Sequence, residues 1–295
     1  MLEIVIPYYK GVFFEKTLQS LENQTDKRFK VYIGDDASPE NPDLIINQFR
    51  GKFDFQYHRF EKNLGGISLV QQWNRCVDLS KEFGWILILG DDDVLDENVV
   101  EKFYENLDEI NKLDVNVVRF ATQKINDKGE TTSDKYYHPK IENSIDFFFR
   151  PSRSSLSEYV FKKRKLKEIG FKDFPLGWFS DILAYLEVSN FDSIYTINDA
   201  IVYVRISEWS ITGSTNLGRL KTESVFEFYY YLLSNQSQFF SNDQKLIMYE
   251  RLENSYLNNK RNSKALFKIS LFYLSSGSFV RYINFIKSIF YNLIR

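Results

Sequence analysis

The sequence predicts an α/β protein with a mostly parallel sheet flanked by helices, followed by a helical extension. Two observations predict this class. Short apolar segments alternate with amphipathic helical segments over the first 120 residues, as βαβ units do. From Leu220 onward the pattern is helical and contains no proline.

The elements of the first 120 residues follow from hydrophobic periodicity, which is 2 residues in strands and 3.6 in helices. Apolar, β-branched segments predict strands at Leu2–Tyr8, Phe29–Gly34, Phe53–His58, Trp85–Leu89 and Asn116–Ala121. Apolar residues at helical spacing predict helices at Val12–Gln24, Pro42–Arg50, Ser68–Phe83 and Glu97–Asn111. We expect the loops after the strands to carry the function.

Residues 122–160 are less regular, with a hairpin turn predicted at Asn126–Gly129. Beyond them, local patterns predict helices at Lys163–Ile169 and Ser180–Ser189, and short strands at Ile194–Ile197 and Ile201–Val204. The segment Ser207–Gly218, rich in Ser, Thr and Gly, is a candidate hinge.

Bulk composition limits the class of protein. The chain has 295 residues, 43% of them hydrophobic and 17% aromatic, which supports a sizeable core. The net charge of −2 argues against a polyanion binder. The single cysteine, Cys76, excludes an internal disulfide and a cysteine-based zinc site. Because the sequence shows no signal-peptide pattern and no run of 18 apolar residues, we expect a cytoplasmic protein without a membrane-spanning helix.

Three consecutive carboxylates, Asp91, Asp92 and Asp93, follow the fourth predicted strand. Adjacent like charges repel one another and are costly to hold together unless a cation neutralises them. Hard cations such as Mg²⁺ and Mn²⁺ take oxygen ligands and commonly share them with substrate phosphates. The sequence therefore predicts a metal site that holds a diphosphate.

Two further polar clusters, Pro7–Tyr9 and Asp35–Asp36, follow the first two predicted strands. In a parallel sheet they lie on the same edge as the three carboxylates. A tyrosine ring can stack on a base, and a carboxylate can accept hydrogen bonds from a base or a ribose. Taken alone, Asp35–Asp36 is more often a turn, by roughly two to one. The joint placement favours a nucleotide-diphosphate site.

The motifs of several other enzyme classes are missing. The sequence contains no GxGxxG, no GxxxxGK[ST] and no GxSxG motif, and only two histidines. These absences argue against a dinucleotide-dependent enzyme, a P-loop nucleotidase, an α/β-hydrolase and a histidine-rich metal centre.

An ordered set of motifs resembles the family 2 glycosyltransferases, which have the GT-A fold. The set consists of Ile4–Tyr9, Leu18–Thr25, Val31–Ser38, Asn63–Gly65 and Leu89–Asp93, and the resemblance spans about residues 1–210. It implies a Rossmann-like GT-A catalytic domain over residues 1–215 and a helical C-terminal extension over 216–295. Within that domain, residues 1–120 would bind the nucleotide sugar and residues 121–215 the acceptor.

The resemblance also implies roles for residues on the donor side. Pro7 and Tyr9 would line the nucleotide base. Asp36 would contact the base, commonly uracil, with Asp35 beside it. Asn74 would face the donor from the third helix.

The resemblance assigns the metal to two of the three carboxylates. Asp91 and Asp92 match the DxD-type motif, in which one carboxylate contacts ribose or sugar and the next holds Mn²⁺ or Mg²⁺. Asp93 matches a frequent acidic residue. Gly90 stands where many relatives have an aspartate, so the identity of the first metal ligand stays open.

A catalytic base is implied by the segment Trp178–Leu183, in which Asp181 matches the family's base at the start of a helix. Ser180 stands where a glutamate is usual. The alternative, that Asp181 only interacts favourably with the helix dipole, keeps a weight of about one third.

Two residues near the end of the domain would hold the diphosphate. Arg205 resembles an arginine that would bind the diphosphate through a fork of donors. A surface arginine at a strand edge is an equally weighted alternative. Ser210 would donate to a phosphate, and Ser207 stands where a histidine is common.

The tail from residue 260 to 295 is basic and amphipathic. No acidic residue follows Glu253, and seven basic residues do. Apolar residues recur at helical spacing in two sets: Leu266, Ile269, Phe272 and Tyr273, then Phe279, Ile283, Ile286 and Phe290. An anionic membrane surface is one partner that fits, and a helical cap on the domain or on a second subunit fits equally. No nucleic-acid recognition motif accompanies the charge.

The resemblance as a whole implies an inverting, metal-dependent enzyme. It would move a sugar from a nucleotide-diphosphate sugar, commonly UDP-linked, to a hydroxyl of a glycan or a lipid-linked oligosaccharide in bacterial surface polysaccharide synthesis. A non-catalytic nucleotide-sugar binder or scaffold of the same fold is the alternative. A nucleotidylyltransferase would need a glycine-rich basic loop, which Pro7–Gly11 does not supply.

Overall fold

The computed structural model describes residues 1–81, 84–208, 210, 212–213, 216–260 and 262–294. These residues form two compact units. The first covers Met1–Asp173 and the segment from Ser180 to the loop after the last strand; the second covers Phe174–Phe179 and the chain from residue 216 on. The expected helix end at Phe83 and the tail cations Arg261 and Arg295 lie outside the described residues.

The described part of the first unit contains one nine-stranded sheet. Its strands are β1 Leu2–Tyr8, β2 Phe29–Asp35, β3 Phe55–Arg59, β4 Trp85–Ile88, β5 Val94–Leu95, β6 Val117–Ile125, β7 Ile141–Asn143, β8 Tyr159–Lys162 and β9 Ser193–Arg205. The spatial order is β3-β2-β1-β4-β8-β6-β9-β5, and β7 also pairs with β9.

Six strands of this sheet run in one direction. Strands β1 to β4 pair in parallel, β6 pairs in parallel with β9, and the antiparallel β8 lies between β4 and β6. The three strands that run the other way, β5, β7 and β8, have two to four residues each. The predicted α/β fold with a mostly parallel sheet is therefore confirmed. The carboxyl ends of the long strands meet at one edge.

Helices cover the sheet. They are α1 Phe14–Glu22, α2 Asp43–Gln48, α3 Leu69–Leu79, α4 Val99–Lys112, α5 Ser144–Phe149, α6 Lys163–Ile169 and α7 Ser180–Val188. Leu18 of α1 and Phe103 of α4 belong to the same buried apolar cluster as Ile4, Ile33 and Leu87 of the strands. At the start of α3 the Ser68 hydroxyl accepts a hydrogen bond from the Gln71 amide at 3.1 Å, a standard N-cap.

The second half differs from the sequence prediction in several places, and β7 and α5 are among the elements that were not predicted. The two short strands expected at residues 194–204 are one strand, β9, whose register against β6 shifts between Phe120 and Ala121. There the Asn198 side chain binds both the amide and the carbonyl of His138. Strand β8 was not predicted, since a four-residue strand leaves almost no periodic signal.

The second unit is helical in its described part. After Phe174–Phe179 it consists of α8 Gly218–Asn235, α9 Asn242–Leu257, α10 Ser263–Ser275 and α11 Phe279–Ile294. The Ser241 hydroxyl and the Gln244 side chain form a capping box at the start of α9. The predicted helical extension is confirmed. None of the helices, over the residues described, has the length and apolar character that crossing a bilayer requires.

Candidate active site

A cleft of about 360 Å³ lies beyond the carboxyl ends of β1, β4 and β9. This volume is in the range of small-molecule sites. Most of the predicted site residues line the cleft: Pro7, Tyr9, Asp36, Asp91, Asp92, Arg205 and Ser210. Three other predicted residues, Asp35, Asn74 and Asp181, are not among the lining residues.

Asp91 fastens the turn after β4 to the end of β1. Its Oδ2 atom accepts hydrogen bonds from the backbone amides of Tyr9 at 2.9 Å and Lys10 at 3.0 Å. Burial raises the pKa of Asp91 to about 6, and these two hydrogen bonds oppose the rise. One carboxylate oxygen of Asp91 is therefore committed to protein donors.

Asp93 fastens the same turn to two other segments. Its Oδ1 atom accepts from the backbone amide of Arg205 at 2.9 Å, and the Ser157 hydroxyl donates to Oδ2. The Ser157 hydroxyl oxygen also accepts from the Gly90 amide at 3.0 Å. Burial raises the pKa of Asp93. Both oxygens of this buried side chain have protein partners, so Asp93 positions the turn.

Asp92 differs from its two neighbours. It lines the cleft, and its carboxylate makes no side-chain hydrogen bond with another residue in the described ranges. Burial, followed by the charges of Asp93 and Asp91, raises the pKa of Asp92 to about 8, and the Arg205 guanidinium opposes the rise. A carboxylate in such surroundings is stabilised by a nearby cation.

The arrangement fits a shared cation better than an all-protein metal cage. No group of three or more His, Cys, Asp or Glu side chains converges on one point among the described residues. Magnesium is commonly held by one or two carboxylates, with substrate phosphates and water completing the shell. Asp92, with the remaining oxygen of Asp91, matches such a donor set.

Asp36 holds the loop after β3 against the cleft. Its two oxygens accept from the backbone amides of Leu64 and Gly65, each at 2.7 Å, and it forms an ion pair with Arg75. A Cβ atom on Gly65 would lie 2.5 Å from Asp36 Oδ2, so this close approach requires glycine. The Arg75 guanidinium stacks on Phe60 at 3.8 Å.

Asp35 lies in the protein interior rather than in the cleft. Its carboxylate accepts from the Tyr57 hydroxyl at 2.5 Å, from the Arg59 guanidinium at 2.7 Å and from the Ser38 amide at 2.7 Å. These contacts tie the ends of β2 and β3 together. Asp35 therefore supports the loop that carries Asp36.

Asn74 also has a structural partner. Its side chain binds the amide of Phe171 at 3.3 Å and the carbonyl of the same residue at 3.5 Å. The residues of α3 that line the cleft are instead Leu69, Gln72 and Trp73. Of these, Trp73 packs edge-to-face on Phe171, with ring centroids 5.6 Å apart.

Arg205 and Ser210 line the cleft while binding backbone atoms. Arg205 Nε donates to the carbonyl of Asp92 at 2.9 Å and Nη1 donates to the carbonyl of Asn126 at 2.5 Å. The guanidinium lies 4.4 Å from the centre of the Phe13 ring. The Ser210 hydroxyl donates to the carbonyl of Ser207 at 2.8 Å. Arg205 thus holds the backbone that carries Asp92.

Asp181 lies in the first turn of α7, next to the segment that forms one wall of the cleft. Its Oδ2 atom accepts from the Ser154 hydroxyl at 3.3 Å. Burial raises the pKa of Asp181, and hydrogen bonds from the helix backbone oppose the rise. The residues that follow Ser154 in the chain, Ser155 to Ser157, line the cleft. Asp181 therefore adjoins the cleft without lining it.

Several residues of this region were not predicted from the sequence, among them Trp73, Arg75 and Ser157. Trp73 and Arg75 lie on a helix, where spacing alone does not separate cleft-facing from buried positions. A signal for Ser157 did exist, because residues Ser155 and Glu158 have the Ser-x-x-Glu spacing of a capping box, and the structure contains that box.

Comparison with known proteins decides the family. The model described as "Glycosyl transferase family 2" matches residues 3–165, more than half of the chain. The chain belongs to this family. Glycosyltransferase GlyG of Streptococcus pneumoniae is 24% identical over 110 residues, which is 37% of this chain and 36% of that protein.

Solved structures agree in fold with this member of the family. S. aureus TarS has a TM-score of 0.62 at 16% identity, over 87% of this chain and 43% of TarS. The mannosyltransferase PcManGT of Pyrobaculum calidifontis, solved with GDP-Man and Mn²⁺, has a TM-score of 0.58 at 12% identity, over 99% of this chain and 84% of that one. The predicted GT-A fold is confirmed. The chain spans less than half the length of GlyG and of the TarS chain that it matches at a TM-score of 0.62.

Proposed function

We propose that the chain is an inverting glycosyltransferase that moves a sugar from a nucleotide-diphosphate sugar to an acceptor hydroxyl. The observation that carries this proposal is the Asp92 carboxylate, which lines the cleft while Asp91 and Asp93 bind backbone amides on either side of it. The relatives support the donor class, since TarS has been solved with UDP-GlcNAc and PcManGT with GDP-Man and Mn²⁺.

On this proposal Asp92, together with the free oxygen of Asp91, holds Mn²⁺ or Mg²⁺. When bound, the cation supplies charge neutralisation for the departing diphosphate. Pro7 and Tyr9 line the base end of the cleft, and Asp36 sets the loop beside them. The third guanidinium nitrogen of Arg205, Nη2, would donate to the diphosphate, because Nε and Nη1 already bind carbonyls. The Ser210 hydroxyl would also donate to it after leaving the Ser207 carbonyl.

The transfer step needs a base, and we assign that role to Asp181. Its carboxylate takes the proton of the acceptor hydroxyl as the oxygen attacks the anomeric carbon. The bond from that carbon to the acceptor oxygen forms while the bond to the diphosphate breaks on the opposite face, so the centre inverts. Burial raises the pKa of Asp181, which favours proton acceptance relative to an exposed aspartate.

The finer identity of the reaction is part of the same proposal. We propose a UDP-linked donor, an acceptor that is a glycan or a lipid-linked oligosaccharide, and a role in bacterial surface polysaccharide synthesis at the cytoplasmic side of the membrane. Residues 1–120 provide most of the donor site, and residues 121–215 provide the acceptor side with Asp181.

The test compares Asp92→Asn and Asp181→Asn with Asp43→Asn, an exposed aspartate at the start of α2. Thermal shift with a panel of nucleotide diphosphates and their sugars, with Mn²⁺ or with EDTA, measures donor binding. Asp92→Asn should lose the Mn²⁺-dependent stabilisation. Asp181→Asn should keep it and lose sugar transfer by about 10²–10⁴-fold, the usual share of a general base.

The outcomes distinguish a catalytic glycosyltransferase from a non-catalytic nucleotide-sugar binder of the same fold. If Asp181→Asn transfers sugar at the full rate, Asp181 is not the base. If the donor binds equally well in EDTA and in Mn²⁺, donor binding does not need a metal. Donor binding by the unmodified chain, with neither transfer nor donor hydrolysis for any acceptor tried, favours the non-catalytic binder.

A further inference from the structure

Helix α10 carries apolar side chains on two opposite faces. One face is buried in the second unit through Ala265, Ile269 and Tyr273. The other face exposes large apolar side chains at helical spacing: Phe267, Leu271 and Leu274. Phe267 retains 69% of its surface in solvent. The inner face explains why the helix packs, and the outer face is left without a partner among the described residues.

Helix α11 repeats this arrangement. Phe285 is buried, and Tyr256 of α9 and Tyr273 of α10 contact its ring. The solvent side exposes Phe279, Val280, Ile283, Phe290 and Tyr291, and Val280 retains 76% of its surface. Exposed apolar residues are common singly, but two neighbouring helices with apolar outer faces are typical of a docking surface.

The charges on these two helices are all positive. Neither α10 nor α11 contains an acidic residue. Lys268 and Arg281 pair with Glu227 and Glu253 within the unit. Lys264 and Lys287 are exposed and have no ion pair in the described part of the chain. Lys264 lies three residues before Phe267 on α10, and Lys287 lies three residues before Phe290 on α11. Exposed cations therefore lie beside the exposed apolar side chains.

We propose that the outer faces of α10 and α11 form a docking surface for an anionic phospholipid membrane. Apolar side chains would enter the boundary of the acyl chains while lysines contact acidic headgroups, as amphipathic interfacial helices do. A second copy of the chain is the competing occupant. A twofold interface places the same patch on both sides, so it would bring lysines together on helices that offer no carboxylate to pair with them. Charge complementarity therefore favours the lipid surface.

The test is vesicle co-sedimentation of the full chain, with vesicles of neutral phosphatidylcholine or of phosphatidylcholine with one third phosphatidylglycerol. The unmodified protein should bind the anionic vesicles, and the binding should weaken with salt. Lys264→Gln/Lys287→Gln should lower the partition coefficient roughly 30-fold, since each lysine near an anionic surface contributes about 1 kcal/mol. The matched control is Lys112→Gln/Lys135→Gln, at two exposed lysines of the first unit.

A second variant tests the apolar contribution. Phe267→Ser/Ile283→Ser/Phe290→Ser should abolish binding to the anionic vesicles, while Leu44→Ser, at an 82% exposed leucine of α2, should leave binding unchanged. The replaced side chains are exposed, so circular dichroism should show a folded chain for each variant. Binding that neither set of substitutions changes overturns the proposal. The proposal is also overturned if the unmodified chain binds neither kind of vesicle, elutes as a dimer, and the serine variant elutes as a monomer. The surface is then an interface between two copies of the chain.

Discussion

Replacing Gly65 by alanine should weaken both the fold and donor binding. A Cβ atom there would lie 2.5 Å from Asp36 Oδ2, nearly 1 Å inside an ordinary contact. Asp36 is also held by the Leu64 amide and by Arg75, so it cannot turn away freely. We therefore expect loss of the Gly65 amide hydrogen bond to a carboxylate, which costs about 1.5–3 kcal/mol of the free energy of unfolding.

The assay is urea unfolding of Gly65→Ala together with nucleotide binding by thermal shift. The matched control is Gly66→Ala, whose added Cβ would meet only the end of the Asn63 side chain at 3.0 Å. Because a side-chain end can move, we expect the control to lose less than about 1 kcal/mol. If Asp36 contacts the base, the displaced carboxylate should also weaken nucleotide affinity about tenfold.

Two results would refute this reasoning at different points. Unchanged stability of Gly65→Ala would mean that Asp36 does not approach the Gly65 backbone as described. Lower stability with unchanged nucleotide affinity would mean that Asp36 does contact the Gly65 backbone but does not contact the base.

Two further predictions concern buried charge. Lys163 pairs with Glu3 in the interior. The Lys163→Met variant should have a free energy of unfolding lower by about 3–5 kcal/mol, because Glu3 is left buried and unpaired. Lys162→Met, which breaks an exposed pair with Asp114, should lose less than about 1 kcal/mol; equal losses in urea unfolding would contradict the burial argument. Burial and the charges of Arg119 and Arg150 lower the pKa of His138 from 6.5 to about 3. The neutral His138 side chain therefore contributes its full stability above pH 6.5. This contribution is lost as the pH falls toward 3, by at most about 1.4 kcal/mol per pH unit. His138→Asn keeps an acceptor for the Arg150 guanidinium and should flatten the pH dependence of urea unfolding in that window relative to His58→Asn; an unchanged slope would show that His138 is not buried in neutral form.

The first half of the fold could be predicted because most of its strands, among them β1, β2 and β4, are buried on both faces. Such strands are continuous apolar segments with polar ends, and the bounds of Leu2–Tyr8 agree with the structure. The second half gave weaker signals. Asn198 and Asp199 indicated a break in β9, yet pairing with β6 resumes beyond them, because the irregularity is absorbed by a register shift.

The location of the candidate site could be predicted from the sequence. Which partners each of its side chains binds could not. Carboxylates after parallel strands meet at one edge, which placed Asp36 and the three consecutive aspartates together. Asp91 and Asp93 cannot be told from Asp92 by spacing. Their partners are the amides of Tyr9 and Arg205, 82 and 112 residues away, and only the folded sheet brings them close.

These long-range contacts imply that the proposed cation site and the sheet form together. The turn that presents Asp92 is held by β1 through Asp91 and by β9 through Asp93, and Arg205 also binds the carbonyl of Asp92 itself. An unfolded chain holds none of these contacts, so it has no preformed place for a cation shared with a diphosphate. A nucleotide diphosphate with Mn²⁺ should therefore bind almost only to the folded form, and the unfolding midpoint should rise with its concentration. The same midpoint in Asp92→Asn should stay constant, because the turn remains in place without the carboxylate that faces the cleft.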